Sequence, residues 1–227
     1  MIIQINYHMN EIYSGFCAGI AQTAVGHPFD TVKVLIQNKS FKYDFKFRKL
    51  YRGWRYPMAM STIFNSVLFP INKEINTYTN NIMVSGLLSG AIVSPIVYGF
   101  DIGKIKEQTN QKIVLKDFYR TPGLISTTIR ESLAISIYFG SYYHCKDKYN
   151  IDPFFSGGIA GILNWTFTYP IDVIRSRQIA QNISISQAIA QKQLWRGFSV
   201  CIARAAIANA CIFKVYEITK TNLHYKT

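Results

Sequence analysis

Carboxylates are scarce in this chain: 12 Asp and Glu stand against 25 Lys and Arg, and only 16% of the 227 residues are charged. With 49% hydrophobic residues beside so little charge, a soluble domain would have to hide an unusually apolar chain. Cysteine is thin as well. Cys17, Cys145, Cys201 and Cys211 form no C-x-x-C pair, and three of them lie in apolar helical stretches, so they read as reduced packing residues. His8, His27, His144 and His224 are scattered, with neither metal-ligand spacing nor a carboxylate triad partner. No metal, no cofactor and no hydrolytic chemistry are expected. A phosphate-cradling G-x-x-x-x-G-K is missing too, so any transport should run on gradients and not on ATP hydrolysis. Met1–Asn10 contains no Arg and no cleavage-type signal; no removable targeting segment is expected, and an organelle address would be internal.

What is present is a repeat. Asp30, Asp101 and Asp172 are spaced 71 residues apart, and each is followed three residues later by a base, Lys33, Lys104 and Arg175. The same step carries Ser14-Gly15, Ser85-Gly86 and Ser156-Gly157, then Gly19, Gly90 and Gly161. This period is too long for a soluble solenoid unit and suits a two-helix membrane hairpin used three times. Apart from Glu11, the segments Glu11–Val25, Ile82–Phe100 and Phe154–Tyr169 carry no charge and read as spans. Their partners lie near Tyr56–Leu68, Leu124–Tyr143 and Phe198–Val215, whose few charges must face protein or water. In each odd span a G-x-x-x-G pair (Gly15/Gly19, Gly86/Gly90, Gly157/Gly161) sets two small residues on one helical face, where backbones can approach closely.

A formal charge of +13 would ordinarily raise nucleic-acid binding, but the bases are not spread at random. Lys39, Lys42, Lys46, Arg48, Lys49, Arg52 and Arg55 follow the first span; Lys104, Lys106, Lys112, Lys116 and Arg120 follow the third; Arg175, Arg177, Lys192 and Arg196 follow the fifth. The other connections carry little beyond Lys73, Lys146 and Lys148. Basic loops on one side place both termini on the other, and no nucleic-acid polymer is expected as a partner.

Pro28-Phe29-Asp30-Thr31-Val32-Lys33 and Pro170-Ile171-Asp172-Val173-Ile174-Arg175 put a helix-bending proline ahead of an acid and a base at i, i+3. Farther on stand Tyr51-Arg52-Gly53 and Trp195-Arg196-Gly197. Together these motifs resemble the mitochondrial carrier family, whose odd helices close with P-x-[DE]-x-x-[KR] and are followed by an aromatic-basic-glycine step. The resemblance covers essentially the whole chain. It implies an all-α membrane protein, with six transmembrane helices in three homologous two-helix repeats (1–78, 79–150 and 151–227, one transmembrane domain) around a pseudo-threefold axis. It also implies the mitochondrial inner membrane, termini toward the intermembrane space, a monomer, and anionic lipid such as cardiolipin on the matrix side. Repeat two departs from the pattern: Gly99-Phe100-Asp101 lacks the proline, with Pro95 one turn earlier, and the glycine of Tyr119-Arg120-Thr121-Pro122-Gly123 comes two residues late. Leu35 stands where the other repeats have Lys106 and Arg177.

Six charges at helix ends in an apolar medium call for partners. By resemblance, a matrix-side gate would pair Asp30 with Lys104, Asp101 with Arg175 and Lys33 with Asp172, braced by Gln37 and Gln108, while Ile179 cannot brace. A static salt-bridge ring is the alternative. The cytoplasmic gate should be poorer: only Tyr216-Glu217-Ile218-Thr219-Lys220 is intact, whereas Asn72-Lys73-Glu74-Ile75-Asn76 and Tyr142-Tyr143-His144-Cys145-Lys146 have lost the acid, although Lys146 keeps the base. A bias toward outward opening follows, because alternating access depends on the difference between two closed gates.

Seven and eight residues beyond each loop glycine, the family places substrate contacts: here Met60 and Ser61, Arg130 and Glu131, Arg204 and Ala205. Two arginines in apolar helices make a functional site the default reading, with internal Arg130–Glu131 neutralisation as the alternative. The Arg-acid pair resembles amino-acid and carnitine-type carriers of small charged metabolites. One surplus positive charge would instead welcome a nucleotide. Trp165 faces the cavity in this register, to stack on a base, hold an ammonium or pack. A non-transporting membrane scaffold and a basic membrane-surface adaptor are the rivals from other classes, and neither they nor the carrier are enzymes.

Overall fold

The computed structural model describes residues 20–21, 23–38, 47–114, 116–205 and 207–208. Gly15, Gly19, Cys17, Cys211, Glu217 and Lys220 therefore lie outside the described residues. Among the described residues the chain is helical with no strand. A first helix, α1, covers residues 20–37. It is followed by the short α2 (Phe47–Leu50), the long α3 (Arg55–Thr79) and α4 (Ile82–Gln108), the short α5 (Asp117–Arg120), α6 (Leu124–Tyr143), a π-helical turn at His144–Lys148, α7 (Pro153–Gln181), the short α8 (Ile185–Ala190) and α9 over residues 198–205. The pattern of long, short, long recurs with the period read from the sequence: α4 and α7 begin 71 residues apart.

Local chemistry explains where these helices stop and start. Asn80, Asn110, Asn150 and Asn182 all adopt positive φ between 48° and 60° just past a helical segment, a conformation that asparagine tolerates better than other residues with a side chain. The Asn81 side chain then caps α4, accepting hydrogen bonds from the Met83 and Val84 amides at 3.0 and 3.2 Å. Gly53, Gly123 and Gly197, which lead into the even-numbered partners α3, α6 and α9, have φ of 76°, 137° and 87°. A side chain there would be strained. The two-residue delay in repeat two thus leaves its glycine in the same role.

Among the described residues one helix, Ile82–Gln108, is long and apolar enough to cross a membrane by length and composition. It packs against α3 and α6, and α6 packs against α7. The Gly86/Gly90 pair makes that packing possible. A Cβ on Gly90 would stand 2.5 Å from Ser132 Cα, and one on Gly86 2.7 Å from Ser136 Cα. The third pair differs from expectation. Among the described residues a Cβ on Gly161 would meet nothing within 4 Å, and one on Gly157 only the Tyr138 hydroxyl at 3.8 Å. The motif records a small face; whether a neighbour uses it depends on where that neighbour lies.

Candidate functional site

The last turns of α1, α4 and α7 converge, and the six expected charges meet there. Lys33 Nζ lies 2.6 Å from Asp172, Lys104 Nζ 3.0 Å from Asp30, and Arg175 Nη1 2.6 Å from Asp101. Each base reaches the acid of another repeat, so the three contacts close into a ring. All three carboxylates are buried, and burial of an unpaired carboxylate would be prohibitive. The i, i+3 spacing also lets Arg175 bond Asp172 within α7 at 2.8 Å. Inside the ring is a space of only about 40 Å³, near the minimum that holds a water molecule or two.

The residues expected to contact substrate sit against this ring, and they are already occupied. Arg130 and Glu131 pair at 2.5 Å, although neighbours on a helix do not ordinarily face each other. Both side chains bend toward the axis because opposite charges wait there: Glu131 also reaches Arg175 at 3.3 Å, and Arg130 approaches Asp172 at 3.9 Å. The internal neutralisation that was the alternative reading is therefore what the structure contains. Arg204 is likewise engaged, 2.6 Å from Asp30. Lys33 and Arg130 lie over the Trp165 ring, at 4.4 and 5.1 Å from its centroid, so that the indole holds the protein's own cations. Met60 and Ser61 lie on α3, Met60 partly buried. The charged cluster contains five cations (Lys33, Lys104, Arg130, Arg175, Arg204) and four carboxylates (Asp30, Asp101, Glu131, Asp172), one positive charge in surplus.

The two glutamines behave differently. Gln37 donates to Asp172 at 3.2 Å and to the Tyr169 hydroxyl at 3.3 Å, beneath an ion pair as expected. Gln108 does not: it donates to the Thr31 hydroxyl at 3.0 Å, not to an ion pair. Thr31 follows Asp30 directly, about 100° around the helix, so a group that reaches one does not automatically reach the other.

Several structural contacts were not read from the sequence. Arg177 is fully buried without any acid and donates to the carbonyls of Gln37, Ala188, Lys192 and Gln193, which ties α1 to the connection beyond α8. Lys106, its counterpart one period earlier, pairs with Asp117 of α5 at 2.8 Å. Asn38 donates to Ser176 at 3.0 Å and accepts from Gln181. The register comparison of Leu35, Lys106 and Arg177 was the available signal, because two of three repeats carry a base there.

At the opposite end the picture is sparse. Lys146 is exposed in the π-helical turn, 6.0 Å from the Tyr142 ring, and has no carboxylate within ion-pair distance among the described residues. Asn72, at the start of the degenerate motif, donates to Ser89 at 3.0 Å and to Ser85 at 3.4 Å and so bonds α3 to α4.

Comparison with known proteins agrees with this architecture. A family model described as mitochondrial carrier protein matches residues 6–47 and 146–227. The chain belongs to the mitochondrial carrier family. Among its relatives, mitochondrial substrate carrier family protein L of Dictyostelium discoideum is 29% identical over 92% of this chain and 94% of its own length. The mitochondrial arginine transporter BAC2 of Arabidopsis thaliana is 26% identical, covering 92% and 89%, and the mitochondrial basic amino acids transporter of Homo sapiens is 26% identical, covering 93% and 89%. This carrier is thus a multi-pass protein of the mitochondrial inner membrane, of a family that transports and does not catalyse. The helical fold, with no strand among the described residues, is consistent with such a carrier.

Proposed function

We propose that this carrier moves a small charged metabolite of the amino-acid class by alternating access, using six transmembrane helices in three repeats (1–78, 79–150, 151–227) around a pseudo-threefold axis. Arg130, Glu131 and Arg204 receive the substrate, with Met60, Ser61 and Trp165 around them. The ring of Asp30, Lys33, Asp101, Lys104, Asp172 and Arg175 is the matrix gate, braced by Gln37. At the cytoplasmic end Glu217 and Lys220, with Lys146, form the weaker lock. Both termini face the intermembrane space, the protein works as a monomer, and anionic lipid covers its matrix side.

The observation that carries this reading is the Arg130–Glu131 pair. A zwitterion can insert into it without leaving a buried charge alone: the substrate carboxylate takes Arg130, and its ammonium takes Glu131. One ion pair becomes two and no charge is left without a partner, so the desolvation cost of an orphaned charge is avoided. Partner exchange also loosens Glu131 from Arg175 and so couples loading to the gate. Relatives named as arginine and basic amino acid transporters support the class. Uptake into proteoliposomes tests it. Glu131→Gln should cripple amino-acid uptake while leaving insertion intact; unchanged uptake would retire the role given to Glu131.

A nucleotide is the second reading, favoured by the surplus cation among the nine charged groups. It predicts that Glu131→Gln leaves or improves nucleotide uptake. A non-transporting scaffold would insert and move no solute.

A further inference from the structure

Beside the Arg130–Glu131 pair, and away from the gate, lies a cavity of about 300 Å³ bounded by α3, α6 and α7. Its walls are chiefly apolar: the rings of Phe64, Phe69, Tyr138 and Phe139, with Leu68 and Ile135 behind them. Tyr138 and Phe139 meet edge to face at 6.0 Å, and Phe69 and Phe139 are 6.3 Å apart. Leu68 and Ile135 are buried together with Val93 in one packed cluster, so this wall is firm. Besides the Tyr138 hydroxyl, three polar side chains line the space among the described residues. Arg130 and Glu131 neutralise each other, and Asn164 offers an amide, part of which already accepts from Thr168.

We propose that this cavity is a subsite for an uncharged, ring-sized apolar group of the substrate, and that the carrier discriminates against substrates with a cationic tail. The inference rests on the reading that the substrate's charged head binds at Arg130 and Glu131, and it fixes what the head carries. The volume suits such a group, since an apolar cavity of about 150 Å³ already accommodates benzene. A second ammonium or guanidinium, by contrast, would find among the described residues no carboxylate in this wall other than Glu131, beside a cluster already one positive charge in surplus. Glu131 cannot serve both the head and the tail. Aromatic faces attract cations, yet that gain is small against the cost of burying an unpaired charge. The relatives named for basic amino acids therefore share the head chemistry, and this carrier differs at the tail.

Purified full-length protein in liposomes of mixed zwitterionic and anionic phospholipid provides the test. Uptake and competition are measured for phenylalanine, methionine, arginine, lysine, ATP and pyrophosphate. Phenylalanine and methionine should compete at least about tenfold better than arginine or lysine, a difference of about 1.4 kcal/mol. Tyr138→Glu supplies the missing carboxylate and should shift the preference toward lysine. Should that variant fail to fold, the wild-type panel decides alone. Amino-acid uptake that favours arginine or lysine overturns the subsite while leaving the amino-acid reading standing. If only ATP is carried, the amino-acid reading falls; the subsite then stands when ATP outcompetes pyrophosphate, because the base fills the cavity, and falls when the two compete equally. No transport of any of these solutes overturns both.

Discussion

The two ends of the helical bundle are held by different physics. At one end Lys33–Asp172, Lys104–Asp30 and Arg175–Asp101 close a ring, and Glu131, Arg130 and Arg204 are drawn into it. At the other, the described contacts are close backbone packing at Gly86 and Gly90, a few amide and hydroxyl bonds from Asn72, and rings such as Tyr138 stacked on Tyr142 at 6.5 Å. Charge pairs in a buried setting have two discrete states, made or broken, and they break when a competing ion arrives. Packed small residues have no such competitor. Under the proposed gate reading, the described contacts at the charged end are of the kind that a charged solute can exchange.

The comparison is broken most directly at Asp172, which touches Lys33, Arg175 and Gln37. Asp172→Asn leaves buried cations without their acid, a defect that costs about 3–5 kcal/mol. Uptake into proteoliposomes should fall more than tenfold and the thermal unfolding midpoint should drop; wild-type values in both would show that the ring bears no load. Next in size is the exchange Asp30→Lys with Lys104→Asp. Either single change sets like charges face to face, so the double variant should transport better than both. It should still fall short of wild type because Arg204, 2.6 Å from Asp30, then faces a lysine. Equal losses in all three variants would separate the two residues.

At the packed end, Gly90→Ala drives a Cβ into the Ser132 backbone and should lower stability by about 1–3 kcal/mol. Gly161→Ala, with nothing within 4 Å of its Cβ position among the described residues, should instead gain up to about 1 kcal/mol from helix propensity. Paired thermal melts would sharpen the contrast, and identical shifts would mean that the two motifs pack alike. The smallest effect concerns Lys106, whose ammonium bonds Asp117 and holds that carboxyl below the usual aspartate range. A depressed carboxylate contributes stability above its unfolded pKa and loses it as pH falls through the lower folded value. The difference between wild type and Lys106→Ala should therefore be small near neutrality, as for other solvent-screened pairs, and should vanish in strong acid. A difference that persists there would assign Lys106 a packing role.

Much of the charged end was legible because its residues recur. Three acids and three bases in one register, with no lipid-compatible alternative, must find partners, and the family resemblance supplied the pairing across repeats that the structure contains. What stayed open was the partner that each of several side chains would take. The Arg204–Asp30 contact joins two residues far apart in sequence, and the Arg130–Glu131 pair contradicts ordinary helical spacing. Gln37 and Gln108 occupy equivalent register positions, yet one reaches a carboxylate and the other the Thr31 hydroxyl. Arg177 solved its burial with four carbonyls, partners that the recurring base at that register position does not by itself specify.

By itself the sequence determined the helical class, the period of 71 residues, the turn positions at Gly53, Gly123 and Gly197, and the family, because periodicity, proline and glycine chemistry, and charge spacing act locally and repeat. Tertiary structure alone decided which glycine faces are used, which cation holds which carboxylate, and that the expected substrate contacts are already spoken for by the gate. Those outcomes depend on distances between helices, and a buried charge takes the nearest partner in space whatever its place in the chain.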